Sequence, residues 1–292
     1  MQNLRANLLE LIRRTSAELP DDVFRAVDVG AKAEEAGTAA GYAMDIITKN
    51  IDLARRKSQP LCQDTGSILF FVRAPVGFDQ IAFEIAAKGA VAEATAKGYL
   101  RQNSVDSVTG KNSGNNLGPG SPTLHFQQHR GTWLDVRLIL KGGGCENVGA
   151  QYSLPETRLH ANRDLDGVRK VLLDAVLQAQ GKGCGPGILG VCIGGDRATG
   201  YLHSKEQLLR TLDDVNPDPA LAALEQDLVT SANKLGIGPM GFGGATTLLG
   251  CKIGALNRLP ASFFVSISYM CWAYRRQGIV LDDDGKILKW LY

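Results

Sequence analysis

Glycine constrains this chain more than any other residue. Of 292 residues 34 are glycine, and many stand directly behind short apolar runs, in "KGGGCENVG", "GKGCGPG", "CIGGDRATG" and "GIGPMGFGGATT". Glycine permits positive φ and lets backbone N–H groups approach a ligand closely. Loops of this kind cradle anions, phosphate and carboxylate alike. A tight turn accounts for any one such loop; four in one chain favour a shared pocket. None follows G-x-G-x-x-G between a strand and a helix, nor the P-loop pattern, so nucleotide binding is not expected.

The apolar runs read as strands. "SILFFVRAP" is closed by proline, "LDVRLILKGGG" alternates and stops at glycine, and "ILGVCIGG", "TTLLGCKIGAL" and "ASFFVSISYMCWAY" complete the set. Helical spacing fills the intervals. One helix spans about 80–100, and another, with an acidic start and a glycine end, about 164–180. Two more lie near 204–213 and 218–234. The first 58 residues are helical throughout. A helix over 3–18 carries Leu4, Leu8, Leu11 and Ile12 on one face, and one or two more follow Pro20. The class is therefore α/β in the mixed α+β sense, a helical N-terminal segment packed on a mixed sheet with flanking helices. We expect one catalytic domain over residues 1–292, its helical layer covering about 1–58. Strand order is left open. The charged tail after Leu281 reads as a final hairpin or as a docking segment.

Lysine and arginine number 32 against 30 acidic residues, which gives no electrostatic support for a nucleic-acid partner. The longest apolar stretch, near 259–273, is too short and too polar to span a bilayer. No secretory signal opens the sequence. A cytoplasmic protein is expected, its six cysteines reduced.

Those cysteines sort by setting. Cys192 and Cys251 lie inside apolar strand-like runs, where core packing accounts for them. Cys62 and Cys184 sit in loops beside proline or glycine, Cys271 near the end of a strand, and Cys145 behind three glycines. Cys62 also opens "CQDTG", in which a thiol, an amide, a carboxylate and a hydroxyl stand in consecutive positions before a buried strand. If Cys62, Cys184 and Cys271 converge, their wide spacing excludes the compact C-x-x-C pairs of structural zinc and ferredoxin-type sites. Three thiolates would leave one iron of a [4Fe–4S] cluster open, as Lewis-acid catalysis requires. Each cysteine is otherwise a small buried hydrophobe.

"CQDTG", "KGGGCEN", "GKGCGPGILGVCIGGDRATG" and "NRLPASFFVSISYMCWAYRR" resemble the iron–sulfur fumarase and L-tartrate dehydratase family of class I hydro-lyases, specifically the alpha subunit, over about residues 10–287. The resemblance implies a [4Fe–4S] cluster on Cys62, Cys184 and Cys271, with one iron lacking a cysteine ligand. Cys145 falls where many relatives carry serine, which argues against a ligand role. Asp64 is implied as the acid that gives a proton to the departing oxygen of a 2-hydroxy dicarboxylate. Gln63, Thr65, Arg101, Gly143 and Gly144 are implied to hold the substrate, Arg101 through a guanidinium fork on a carboxylate. Thr65 read as a turn cap and Arg101 as a surface arginine are the alternatives, and Lys141 has no assigned role.

Two departures limit the transfer. Some single-chain relatives carry a histidine where this chain has Leu259, and His125, His129, His160 and His203 read mainly as surface or helix residues, with His125 in "TLHF" the one expected to be partly buried. Single-chain relatives also have a further C-terminal domain that supplies a proton-abstracting hydroxyl. Its counterpart here is expected to be a separate beta subunit in an alpha2beta2 assembly. The reading is reversible hydration of fumarate to malate, since "GCENVGAQYSLP" and "NRLPAS" are similar to the fumarase branch. L(+)-tartrate dehydration is the alternative within the class, and a non-enzymatic metal- or anion-binding protein the alternative outside it.

Overall fold

The structure is a computed structural model and describes residues 3–292. Its contacts divide the chain into two compact units. The first comprises residues 1–21, 49–143 and 273–292; the second comprises 22–48 and 144–272.

In the first unit, helix α1 (Leu4–Ala17) buries Leu4, Leu8, Leu11 and Ile12, the stripe that the sequence spacing predicts. Helix α2 (Asp21–Ala33) belongs almost wholly to the second unit, and α3 (Ala39–Lys57) passes from the second unit into the first. Strand β1 (Ser67–Pro75) follows, then α4 (Gln80–Ala96), which starts where the Asp79 carboxylate accepts the Ala82 N–H at 2.9 Å. Strands β2 (Thr123–His129) and β3 (Leu134–Lys141) come next. Short helix α5 (Gly143–Asn147) starts the run into the second unit, where β4 (Ala150–Ser153), α6 (Leu165–Ala179), β5 (Gly187–Gly194), α7 (Arg197–Gln207), α8 (Pro219–Asn233), β6 (Leu248–Leu256) and β7 (Phe264–Met270) lie. The chain returns to the first unit with β8 (Arg276–Leu281) and β9 (Ile287–Trp290), which pair antiparallel; the charged tail after Leu281 supplies the turn and the second strand of that hairpin.

Each unit holds one mixed sheet. The order in the first is β2-β1-β3-β8-β9, with β1 and β2 parallel and the other pairs antiparallel. Its core joins the apolar face of α1 to Phe70, Val72, Phe83, Val136 and Leu138. The second sheet runs β4-β7-β5-β6, with β5 and β6 parallel. Its core gathers Val171 and Leu172 of α6, Leu228 of α8, and Val191, Ile253 and Ile267 of the strands.

The mixed α+β class expected from sequence is what the fold shows. Three details differ. Strand β2 carries His125 and His129, so these are strand residues; the His125 ring lies 5.0 Å from Phe71, and His129 stacks on Trp133 at 3.8 Å. Helix α7 begins at Arg197 rather than near 204, because Asp196 caps it by accepting the Ala198 and Thr199 N–H groups. Strands β4 and β8 are additional to those the sequence suggests. No helix among the described residues is long and apolar enough to cross a membrane.

Candidate active site

The pairing of β1 with β3 builds the site. Ser67 stands opposite Lys141, so "CQDTG", just before β1, meets "GGG", just after β3. Gly66 makes the meeting possible. Its φ is +74°, and a Cβ there would overlap the Lys141 carbonyl oxygen and stand 2.6 Å from the Gly142 nitrogen. No other residue fits that close approach.

Asp64 sits in this angle, half-buried. Its Oδ1 accepts the Gly66 N–H at 2.8 Å and the Asn103 side-chain amide at 2.7 Å; its Oδ2 accepts the Gly143 N–H at 2.6 Å. Each carboxylate oxygen has about two acceptor positions. Both on Oδ1 are therefore filled, and one on Oδ2 is left. Asp64 N–H in turn points at Cys62 Sγ, 3.4 Å away.

The segment 101–104 is held against Asp64 by two buried side chains. Thr65, 2% exposed, donates its hydroxyl to the Arg101 carbonyl and accepts the Arg101 N–H, both at 2.8 Å. Asn116, 1% exposed with φ of +62°, accepts from the Asn103 and Ser104 N–H groups and donates to the Arg101 carbonyl and Thr95 Oγ1. Asparagine tolerates that left-handed conformation better than most residues. Pinning the Arg101 backbone leaves its side chain exposed, without an ion pair among the described residues. Gln63 is exposed as well. A polar cleft of about 430 Å³ opens beside Asp64, lined by Asn103, Ser104, Ser107, Asn116 and Ser121 among others. The parallel register of Leu69 with Thr123 brings that loop to the same end of the sheet.

Lys141, to which the sequence assigns no role, is wholly buried at the end of β3. Arg275, just before β8, is 1% exposed, and its Nε and Nη1 have no hydrogen-bond partner among the described residues. The point where a Cβ on Gly142 would stand is 3.2 Å from Asp64 Oδ2 and 3.8 Å from Arg275 Nη2. A buried cation with idle donors marks a place suited to an anion.

Within the second unit, Cys184 and Cys271 are two of the expected ligands. Cys184 adopts φ of +55° behind a 3₁₀ turn, in a loop that wraps the Tyr269 ring closely enough that Gly183 and Gly187 have no room for a side chain. Burial, then the thiols of Cys271, Cys145 and Cys184, push the Tyr269 phenol above its ordinary value. Cys145 thus acts on Tyr269 electrostatically alongside Cys184 and Cys271. Gly144 lies beside the Lys182 carbonyl, 3.4 Å from where its Cβ would be. Cys192 and Cys251 are core residues, as expected: burial pushes the Cys192 thiol up to about 12 and raises Cys251 as well. Leu259 is 71% exposed. Among the described residues no group of three or more His, Cys, Asp or Glu is disposed to hold a single metal ion. Thiol donors suit an iron–sulfur group in kind.

Sequence reasoning missed Asn103, Asn116, Arg275 and Tyr269 as members of these environments. "YMCWAYRR" placed Arg275 near a cysteine, but nothing local linked Asn103 or Asn116 to Asp64.

The fumarate hydratase (Fumerase) family model matches residues 5–280. A Geobacillus stearothermophilus protein with the provisional name fumarate hydratase class I is 54% identical over 296 residues, covering 100% of this chain and 58% of that protein. This chain thus spans less than two thirds of that relative. The L(+)-tartrate dehydratase subunit alpha of Escherichia coli K12 is 32% identical over 281 residues, covering 92% of this chain and 88% of the subunit. A Methanocaldococcus jannaschii protein, provisionally named as the same subunit, is 32% identical over 287 residues, 96% of this chain and 98% of its own length. With a match that runs through both units and every loop described above, this chain belongs to the fumarate hydratase (Fumerase) family.

Proposed function

We propose that this chain carries the acid and the cluster ligands of a hydro-lyase that interconverts fumarate and malate. The observation that carries the reading is Asp64: a carboxylate held by three donors, with one position open on Oδ2, beside a polar cleft and in a chain matched along its length to fumarate hydratase. In the dehydration direction the proton on that open position of Oδ2 passes to the substrate hydroxyl as its C–O bond breaks, and water leaves. The C–H proton goes to a base supplied by a second component. Arg101 and Gln63, exposed around Asp64, grip the substrate carboxylates together with the backbone of Gly143 and Gly144. Thr65 contributes by fixing the Arg101 backbone.

Cys62, Cys184 and Cys271 would hold a [4Fe–4S] cluster, which when bound supplies Lewis-acid polarisation of the C–O bond. A cytoplasmic setting, in which cysteines are kept reduced, suits thiolate ligands. The relatives matched over most of their own length are named alpha subunits, which supports a beta partner; the assembly we propose is alpha2beta2. The same names favour a second substrate reading, L(+)-tartrate.

The test is anaerobic purification and reconstitution, followed by turnover of fumarate, L-malate and L(+)-tartrate with and without the second component. A brown protein with iron and sulfide in equal amounts, active on fumarate, is expected. Turnover of tartrate alone selects the second reading. A colourless protein that binds stoichiometric zinc, inactive on all three, overturns both.

A further inference from the structure

We propose that Asn103 is the positioning residue of Asp64, deciding which carboxylate oxygen exchanges a proton with the substrate; the inference rests on the hydro-lyase reading above. Asn103 is exposed in the cleft, yet its amide donates to Asp64 Oδ1 at 2.7 Å. With the Gly66 N–H it fills both acceptor positions of Oδ1. Gly143 takes one position on Oδ2. Without Asn103, an open position appears on Oδ1 as well, and the carboxyl loses one of three points that fix its plane. The proton then distributes over two oxygens, only one of which faces the substrate. Such a misplacement lowers the rate of proton transfer without weakening substrate binding.

The placement of Asn103 is not incidental. Its own N–H and that of Ser104 are both taken by Asn116 Oδ1, at 2.8 and 3.1 Å. The other end of the Asn116 amide is tied to the Arg101 carbonyl and to Thr95 Oγ1 on α4, at 2.8 and 3.0 Å. Thr65 closes the frame by bonding the Arg101 backbone in both directions. An exposed side chain is thus held at the carboxylate by a buried network, the arrangement that fixes a working group from behind.

The experiment uses the complete enzyme, this chain with its second component, loaded anaerobically. Fumarate hydration is followed with succinate, a dicarboxylate that does not react, as the competing ligand. Asn103→Ala is expected to lower kcat about tenfold to a hundredfold, with KM and the succinate inhibition constant within about threefold of the parent. Asn103→Asp, close in shape but without the donor and carrying a like charge, is expected to fall further. The inference is overturned if Asn103→Ala keeps kcat within about twofold, or if succinate inhibition weakens in step with the loss of rate, which would make Asn103 a substrate contact. The parent enzyme and Asp64→Asn separate the levels. If the parent enzyme itself turns over no fumarate, the hydro-lyase reading fails; if Asp64→Asn still turns over, Asp64 is not the acid and Asn103 has nothing to position; if Asp64→Asn is dead while Asn103→Ala is fully active, only the role of Asn103 is lost.

Discussion

A single carbon decides whether the site can assemble. At Gly66 any side chain meets the Lys141 carbonyl, and the backbone is in a left-handed conformation besides. Gly66→Ala is expected to destabilise the protein by about 3 kcal/mol, read as a lower urea midpoint; an unchanged midpoint would mean that the carbonyl moves aside at no cost. At this scale the motif "CQDTG" was legible, because packing and turn formation alone do not call for four chemistries in consecutive positions before a buried strand. Asn103 was not legible. It lies 39 residues from Asp64, and only the strand register, which sequence pattern does not reveal, makes them neighbours. Thr65 shows the same limit: its hydroxyl bonds the backbone of Arg101, a partner that no local rule predicts.

Elements were read best where their ends carried chemistry. Asp79, Asp164 and Asp218 cap α4, α6 and α8, and the sequence reading placed those helices well. Asp196 caps α7 in the same way, but its first turns, "RATGYLHSKEQ", are polar and show no apolar stripe, so the helix was placed too late. β2 escaped notice because it is an edge strand, "TLHFQQH", whose alternation is confined to Leu124 and Phe126 and gives way to a polar end. Elements also give a pH prediction. The Arg158 guanidinium donates to Asp174 of α6 at 2.7 Å, and the Tyr152 hydroxyl of β4 donates to it at 2.8 Å. Arg158 chiefly, opposed by burial and aided by Tyr152, holds the Asp174 carboxyl below its ordinary value. A depressed carboxyl stabilises the fold fully above the unfolded value of about 3.9 and loses that contribution as pH falls through the native one. Asp174→Asn is therefore expected to cost about 1–2 kcal/mol at neutral pH, a gap that closes in acid. Urea titrations at neutral pH and at about pH 3 check this; a gap of equal size at both would assign the loss to packing.

On the scale of the molecule, the mixed α+β class was legible from the interleaving of strand-like and helical runs. The division into two sheets was not, since it depends on which strands pair, and the pairs are distant in sequence. Strand β8 joins β3 although residues 144–272 of the second unit lie between them in the chain. Removing residues 276–292 is expected to leave β3 with an open, apolar edge and to send the chain into the insoluble fraction. A truncated protein as soluble as the full chain would show that the edge is protected by other means. The same pairing has a consequence during synthesis. β3 leaves the ribosome more than a hundred residues before β8, so the nascent chain must shelter an unsatisfied strand edge while residues 144–272 of the second unit are being made, and whatever attends translation has that interval in which to act.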